Sequence, residues 1–149
     1  MKKHAYLVAA VVVITGVLAV SSVRAQTNSG PQLSATIPFE FSIGDRTMEQ
    51  GEYTLTRLNP SSPVKVLQLR RKDGSSSVVI QTIDVVGKIS DNAKLVFNRY
   101  GDRYFLAQAW MPGDKNGLAL RKSRAERRIE QQLAGAKANT ETVALNVKR

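Results

Sequence analysis

The stretch Leu95-Val-Phe-Asn-Arg-Tyr-Gly-Asp-Arg-Tyr-Phe-Leu-Ala-Gln-Ala-Trp110 decides the fold class. Two aromatic-rich, β-forming runs flank Tyr100-Gly101-Asp102-Arg103, and a two-residue Gly-Asp loop between such runs is a hairpin signature. Glycine at the first central position specifies a type II′ turn, because it alone takes positive φ there without a Cβ clash. The register that follows sets Tyr100 opposite Arg103, Arg99 opposite Tyr104, Asn98 opposite Phe105 and Phe97 opposite Leu106. Cross-strand pairs of this kind stabilise a sheet by ~0.2–1 kcal/mol each relative to an alanine pair.

The same alternation extends outward in both directions. Ile37, Phe39, Phe41 and Ile43 alternate with Thr36, Pro38, Glu40 and Ser42, which predicts one strand with a single apolar face. Pro38 cannot donate to a ladder, so this strand belongs at an edge or carries a bulge. Gly51 to Leu58 reads as a second strand, and Val64 to Lys72 as a third with a bulge where alternation slips between Val66 and Leu67. Val78 to Val86 is nearly all apolar or β-branched, which predicts a central strand buried on both faces. Beyond the hairpin, Leu118 and Leu120 suggest a short strand. Ser123 and Glu126 have the spacing of a capping box, and Ala125, Ile129, Leu133 and Ala136 form the apolar stripe of a helix. Thr142 to Val147 alternates again as a last strand. The expected class is therefore all-β: an antiparallel small barrel or sandwich of about seven or eight short strands, with one short helix in the C-terminal half.

Residues 1–25 read as a signal peptide forming an N-terminal signal helix. A basic Met1-Lys2-Lys3-His4 precedes the apolar run Ala5 to Val20, and Val23 and Ala25 are the small or aliphatic residues a signal peptidase reads. Cleavage is expected after Ala25; the alternative is an uncleaved anchor, since the apolar run approaches the length of a span. Residues 26–34 read as a flexible lead-in and 35–149 as one β-rich domain, placed in the periplasm or outside the cell. The 149-residue chain carries a formal charge of +10, and 22 basic residues less Lys2, Lys3 and Arg24 leave about +7 against 12 acids. That excess favours polyanions, or simply solubility. With no Cys, the fold stands on packing without disulfides.

The inventory narrows the chemistry. His4, inside the predicted signal, is the only imidazole, and there is no thiol. This excludes Ser-His-Asp triads, Cys nucleophiles and the common zinc or copper ligand sets from the exported chain. No cofactor, metal site or catalytic residue is expected. Asp45, Glu49 and Glu52 read as solvated turn carboxylates because they lack the spacing of a calcium loop. Asp84, inside an apolar strand, would need Arg99, Arg103 or Lys88 as a partner if buried. Binding character gathers at Arg99, Tyr100, Arg103 and Tyr104, where alternating Arg and Tyr can stack rings and clamp anions; the plain alternative is cross-strand decoration of a turn. Trp110 is a candidate carbohydrate platform or a packing residue.

Three segments, Ala35-Thr-Ile-Pro-Phe-Glu-Phe-Ser-Ile-Gly-Asp45, Gly51-Glu-Tyr53 and Leu95 to Leu106 with Trp110, resemble small exported bacterial proteins of unknown function, of acidobacterial type. The similarity runs from about Ala35 to the Ser123–Glu126 pair. It implies export and a compact β-rich domain, and carries no activity, cofactor or catalytic residue with it. The expected function is a non-enzymatic exported β-domain acting as an envelope-associated binding or structural module. Its partner would be an anionic envelope polymer or another envelope protein, with no specific nucleic acid partner. Two alternatives stand beside it: recognition of lipopolysaccharide, peptidoglycan or nucleic acid through the Arg/Tyr hairpin, and a carboxylate-based hydrolase.

Overall fold

A computed structural model describes residues 29–89, 91–133, 139–144 and 146–147. The predicted signal helix and its cleavage site lie outside the described residues. In chain order the elements are β1 (Ser29–Ile37), β2 (Phe41–Ile43), β3 (Arg46–Met48), β4 (Gly51–Leu58), β5 (Lys65–Arg71), β6 (Ser77–Val86), β7 (Lys94–Tyr100), β8 (Arg103–Trp110), β9 (Asn116–Ala119), α1 (Arg124–Gln132), β10 (Asn139–Ala144) and β11 (Asn146–Val147). Among the described residues the fold is mostly β with one helix. No helix among the described residues is long and apolar enough to cross a membrane.

The hydrogen-bonded order is β10-β7-β8-β9-β6-β5-β4-β1-β11, with β2 attached to β3 and β8 off this path. All neighbours are antiparallel except β2 and β8, which run parallel through Phe41↔Tyr104 and Ser42↔Phe105. The sheet is thus mixed where an antiparallel one was expected, and it holds eleven described strands where seven or eight were expected. Pro38 accounts for the parallel pair and for one of the added strands; the others are β3 in the turn after Ile43 and the division of the last expected strand into β10 and β11. Pro38 has no N–H with which to continue a ladder, so the single strand read across Ile37 to Ile43 breaks at residues 38–40. The chain then re-enters beside β8. The expected lead-in is corrected as well: from Ser29 onward it is strand, paired with β4 from Ser29↔Leu58 to Ile37↔Gly51. Leu33 explains this, since it extends the Ala35 and Ile37 alternation backward and is itself buried.

One face of the sheet carries the core. Leu33, Ile37, Tyr53, Leu55, Leu67, Leu69, Leu95, Phe97 and Leu118 are buried on it, each contributing about 1.5–3 kcal/mol where an aliphatic or Phe side chain is fully removed from water. β6 is central in the order but is not buried on both faces: Val79 is 55% and Ile83 46% exposed, because no second layer among the described residues covers its outer side. β5 pairs with β4 and β6 in unbroken register, so the expected bulge at Val66 is absent. A bulge occurs instead on β8, where Phe97 faces Leu106 and Val96 faces Gln108, so Leu106 and Ala109 both keep to the core face.

The hairpin has the expected register throughout: Tyr100↔Arg103, Arg99↔Tyr104, Asn98↔Phe105 and Phe97↔Leu106. Gly101 has φ +63° and Asp102 does not share a positive φ, which matches type II′ and not type I′. A Cβ on Gly101 would meet nothing within 4 Å, so the requirement for glycine is conformational and not steric. Gly101→Ala is expected to lower stability by about 1–2 kcal/mol in urea unfolding, and Gly101→Asn by less, because Asn tolerates left-handed φ. Equal midpoints for the parent and Gly101→Ala would contradict the turn assignment.

Candidate functional site

The predicted tip residues separate onto two faces of the hairpin, as strand alternation requires. Tyr100 is only 4% exposed; its ring meets Phe105 edge-on at 5.9 Å and shares a small cluster with Ile129 of α1. Tyr100 therefore leaves the set of ligand-facing residues. Arg99 and Tyr104 lie on the other face. Tyr104 is half-buried and stacks on Phe39 with centroids 3.9 Å apart, and the Arg99 guanidinium stands 5.3 Å from the Tyr104 centroid. Arg99 Nε also donates to the Gly101 carbonyl at 2.7 Å. Arg103 is exposed and meets Tyr104, Glu40 and Asp102 around a depression of about 350 Å³. Two acids beside one free arginine give that depression no anion preference.

Helix α1 rests on the tip of the β7–β8 hairpin, where Ile129 clusters with Tyr100 and Phe105. Ser123 caps it, its Oγ accepting the Glu126 amide at 3.1 Å. The reciprocal half of the capping box is replaced by something else. The Glu126 carboxylate, 4% exposed, accepts from Asn98 Nδ2 at 2.7 Å and from the Tyr100 hydroxyl at 3.4 Å. Those partners rotate the helix away from the expected stripe: Ala125 is exposed, Leu133 is 46% exposed, and Glu126 and Ile129 face inward. Ala136 lies outside the described residues.

This rotation segregates charge. Glu126 is buried, and Glu130 accepts from Lys122 at 2.6 Å, which holds that ammonium above the usual lysine range. Arg124, Arg127 and Arg128 are all exposed, and at 3.6 residues per turn they fall within an arc of about 100°. The other basic run behaves differently. Arg71 is paired with Glu49 at 2.5 Å and Asp73 at 3.2 Å, and Lys72 with Glu52, so residues 70–72 are largely neutralised. Glu49 and Glu52, read as solvated turn carboxylates, are thus ion-paired. Around them Ser34, Thr36, Thr54, Glu52 and Lys72 line a polar groove of about 280 Å³ that sequence reading missed. Its lining comes from the polar face of the β1–β4 ladder, where Ser34 stands opposite Thr54 and Thr36 opposite Glu52.

Asp84 is exposed and needs no partner; among the described residues it forms no ion pair with Arg99, Arg103 or Lys88. No three carboxylates converge as a metal-binding group among the described residues.

Trp110 stands at the far end of β8 from the tip, apart from the Arg/Tyr residues. It faces Lys94 across β7 and Gly117 across β9, the latter one register step beyond Ala109↔Leu118. A Cβ on Gly117 would come within 2.8 Å of indole Cδ2, Cε2 and Cε3, and one on Gly87 would overlap Cη2 and Cζ3. The ring therefore lies flat over two glycine backbones, and its Nε1–H donates to Gln108 Oε1 at 2.9 Å. Neither glycine signals this role locally, because the close approach is made by a residue distant in sequence.

No family model matches the chain, and no curated protein or solved structure shows significant similarity to it.

Burial raises the pKa of both Tyr53 and Tyr100; for Tyr100 the nearby Glu126 adds to the shift and Lys122 opposes it. A folded-state pKa above the unfolded one leaves stability intact below the unfolded value and removes it as pH climbs toward the folded value. The far-UV circular dichroism signal should hold to about pH 10 and then fall with a late rise in phenolate absorbance. Tyr100→Phe should retain its signal to higher pH than the parent. Coincident alkaline transitions for the two proteins would argue against this assignment.

Proposed function

We propose that this protein is a non-enzymatic, exported β-barrel module of the bacterial envelope that binds an anionic polymer through α1 and the adjoining hairpin. The observation that carries this reading is the charge segregation on α1, with Glu126 buried, Glu130 paired to Lys122, and Arg124, Arg127 and Arg128 turned to solvent. The adjoining hairpin joins this surface through Asn98 and Tyr100, which hold Glu126 and so set which side of the helix meets solvent. Closure as a barrel draws support from β10 and β11. One pairs with β7, the other with β1, and a single residue separates them. Export rests on the character of residues 1–25, and a grouping with the small acidobacterial-type exported proteins rests on the segments quoted from Ala35 onward. The absence of imidazole and thiol after His4 supports a non-enzymatic role; Asp84, exposed and unpaired among the described residues, lends a carboxylate hydrolase little support.

A second reading, docking on another envelope protein, draws on the exposed Val79 and Ile83 along the outer side of β6.

Lipopolysaccharide binding measured across a salt series tests the leading proposal. Affinity should fall steeply with ionic strength, and the combined Arg124→Ala, Arg127→Ala and Arg128→Ala variant should bind at least about tenfold more weakly with a shallower salt slope. Tyr100→Phe should bind like the parent. Unchanged affinity in the triple variant would overturn the assignment of the surface to α1.

A further inference from the structure

We infer that Trp110 is a stacking seat for a single sugar ring bearing a negative charge, built on the outer face of the sheet away from α1. Three neighbouring backbones make the seat. Trp110 rises from β8, Gly117 of β9 lies beneath the centre of the indole, and Gly87, just past the end of β6, lies beneath its far edge. Any side chain at either glycine would tilt the ring off the sheet. The Nε1–H bond to Gln108 satisfies the single polar atom of the indole and fixes the ring in its plane. One face of the ring is thus taken by backbone, and the half-buried residue turns its other face outward. A pyranose presents a flat patch of C–H groups on one side and hydroxyls around its rim. That is the complement of an isolated, outward-facing π surface.

The rim supplies the charge preference. Gly87, Lys88, Lys94, Met111 and Asp114 border a depression of about 300 Å³ with Trp110, room for one sugar ring and little more. Asp114 is already engaged: its carboxylate accepts the Asn116 amide at 2.8 Å and stands 3.8 Å from Arg57. Lys88 and Lys94 form no ion pair among the described residues. Two available ammonium groups beside a committed carboxylate select a sugar carrying carboxylate or phosphate over a neutral one. An aromatic that merely shielded a sheet glycine would have no use for this rim. A nucleobase could also stack here, but single-stranded nucleic acid needs a basic track for successive phosphates, and the two lysines border one small depression.

Because Trp110 is the only tryptophan in the chain, its fluorescence reports on the seat alone. Titration of the protein with trigalacturonate should give a saturable change in emission. The uncharged galactose trisaccharide should bind at least about tenfold more weakly, and the combined Lys88→Ala and Lys94→Ala variant should lose about tenfold in affinity for trigalacturonate, since each 1.4 kcal/mol is a factor of ten. The triple arginine variant of α1 should keep the full response, which separates this seat from the proposed polymer surface. No emission change with trigalacturonate, equal affinity in the double lysine variant, or tighter binding of oligothymidylate than of the sugar would each overturn the assignment.

Discussion

The ring of Phe41 holds this structure together. It meets Tyr53 of β4 and Phe97 of β7 edge-on, each at 5.4 Å, while Phe39 beside it meets Phe97 at 5.2 Å and stacks on Tyr104 of β8. Contacts of this kind contribute about 0.5–1.5 kcal/mol each beyond the area they bury. In a chain without cysteine they join strands that are distant in the hydrogen-bonded order. Phe41 reaches them only because β2 lies parallel on β8, and β2 lies there because Pro38 ends the previous strand. A residue that forbids a hydrogen bond thereby positions the centre of the core.

Where a local rule sufficed, the fold was legible in the sequence. Gly101 dictates a turn, the turn dictates a register, and the four register pairs read from the residues are those the structure contains. The Ser123 cap was equally readable, since a hydroxyl at that position has one task. What escaped was decided by partners distant in the chain. Ala125 and Leu133 look like a core stripe, yet Asn98 and Tyr100 offer hydrogen bonds that draw Glu126 inward in their place. β6 reads as doubly buried because its composition cannot show that Val79 and Ile83 on its outer side stay exposed. Of the candidate site, Tyr100 parts from Arg99 and Tyr104 because adjacent residues on a strand point to opposite faces. Trp110 kept its interest for a reason invisible in its own neighbourhood, the two glycines beneath it.

Burying Glu126 has two effects. Its carboxylate ties the helix to the hairpin through Asn98 and Tyr100, and it withdraws one negative charge from the helix side that carries Arg124, Arg127 and Arg128. A hydrophobic residue at that position could hold the helix as firmly, but the helix would then have no polar register against the sheet. The bonded carboxylate specifies one rotation, and that rotation decides which side chains meet solvent.

The short segment from β10 to β11 also governs when the sheet can be completed. β10 supplies the outer partner of β7, and β11 supplies that of β1, yet both follow every other strand in the chain. During synthesis, β1 and β7 therefore wait with open edges until β10 and β11 are free to pair with them. Open edges recruit other chains, so the interval is one of aggregation risk. It is also an interval in which the polypeptide cannot lock into its finished form.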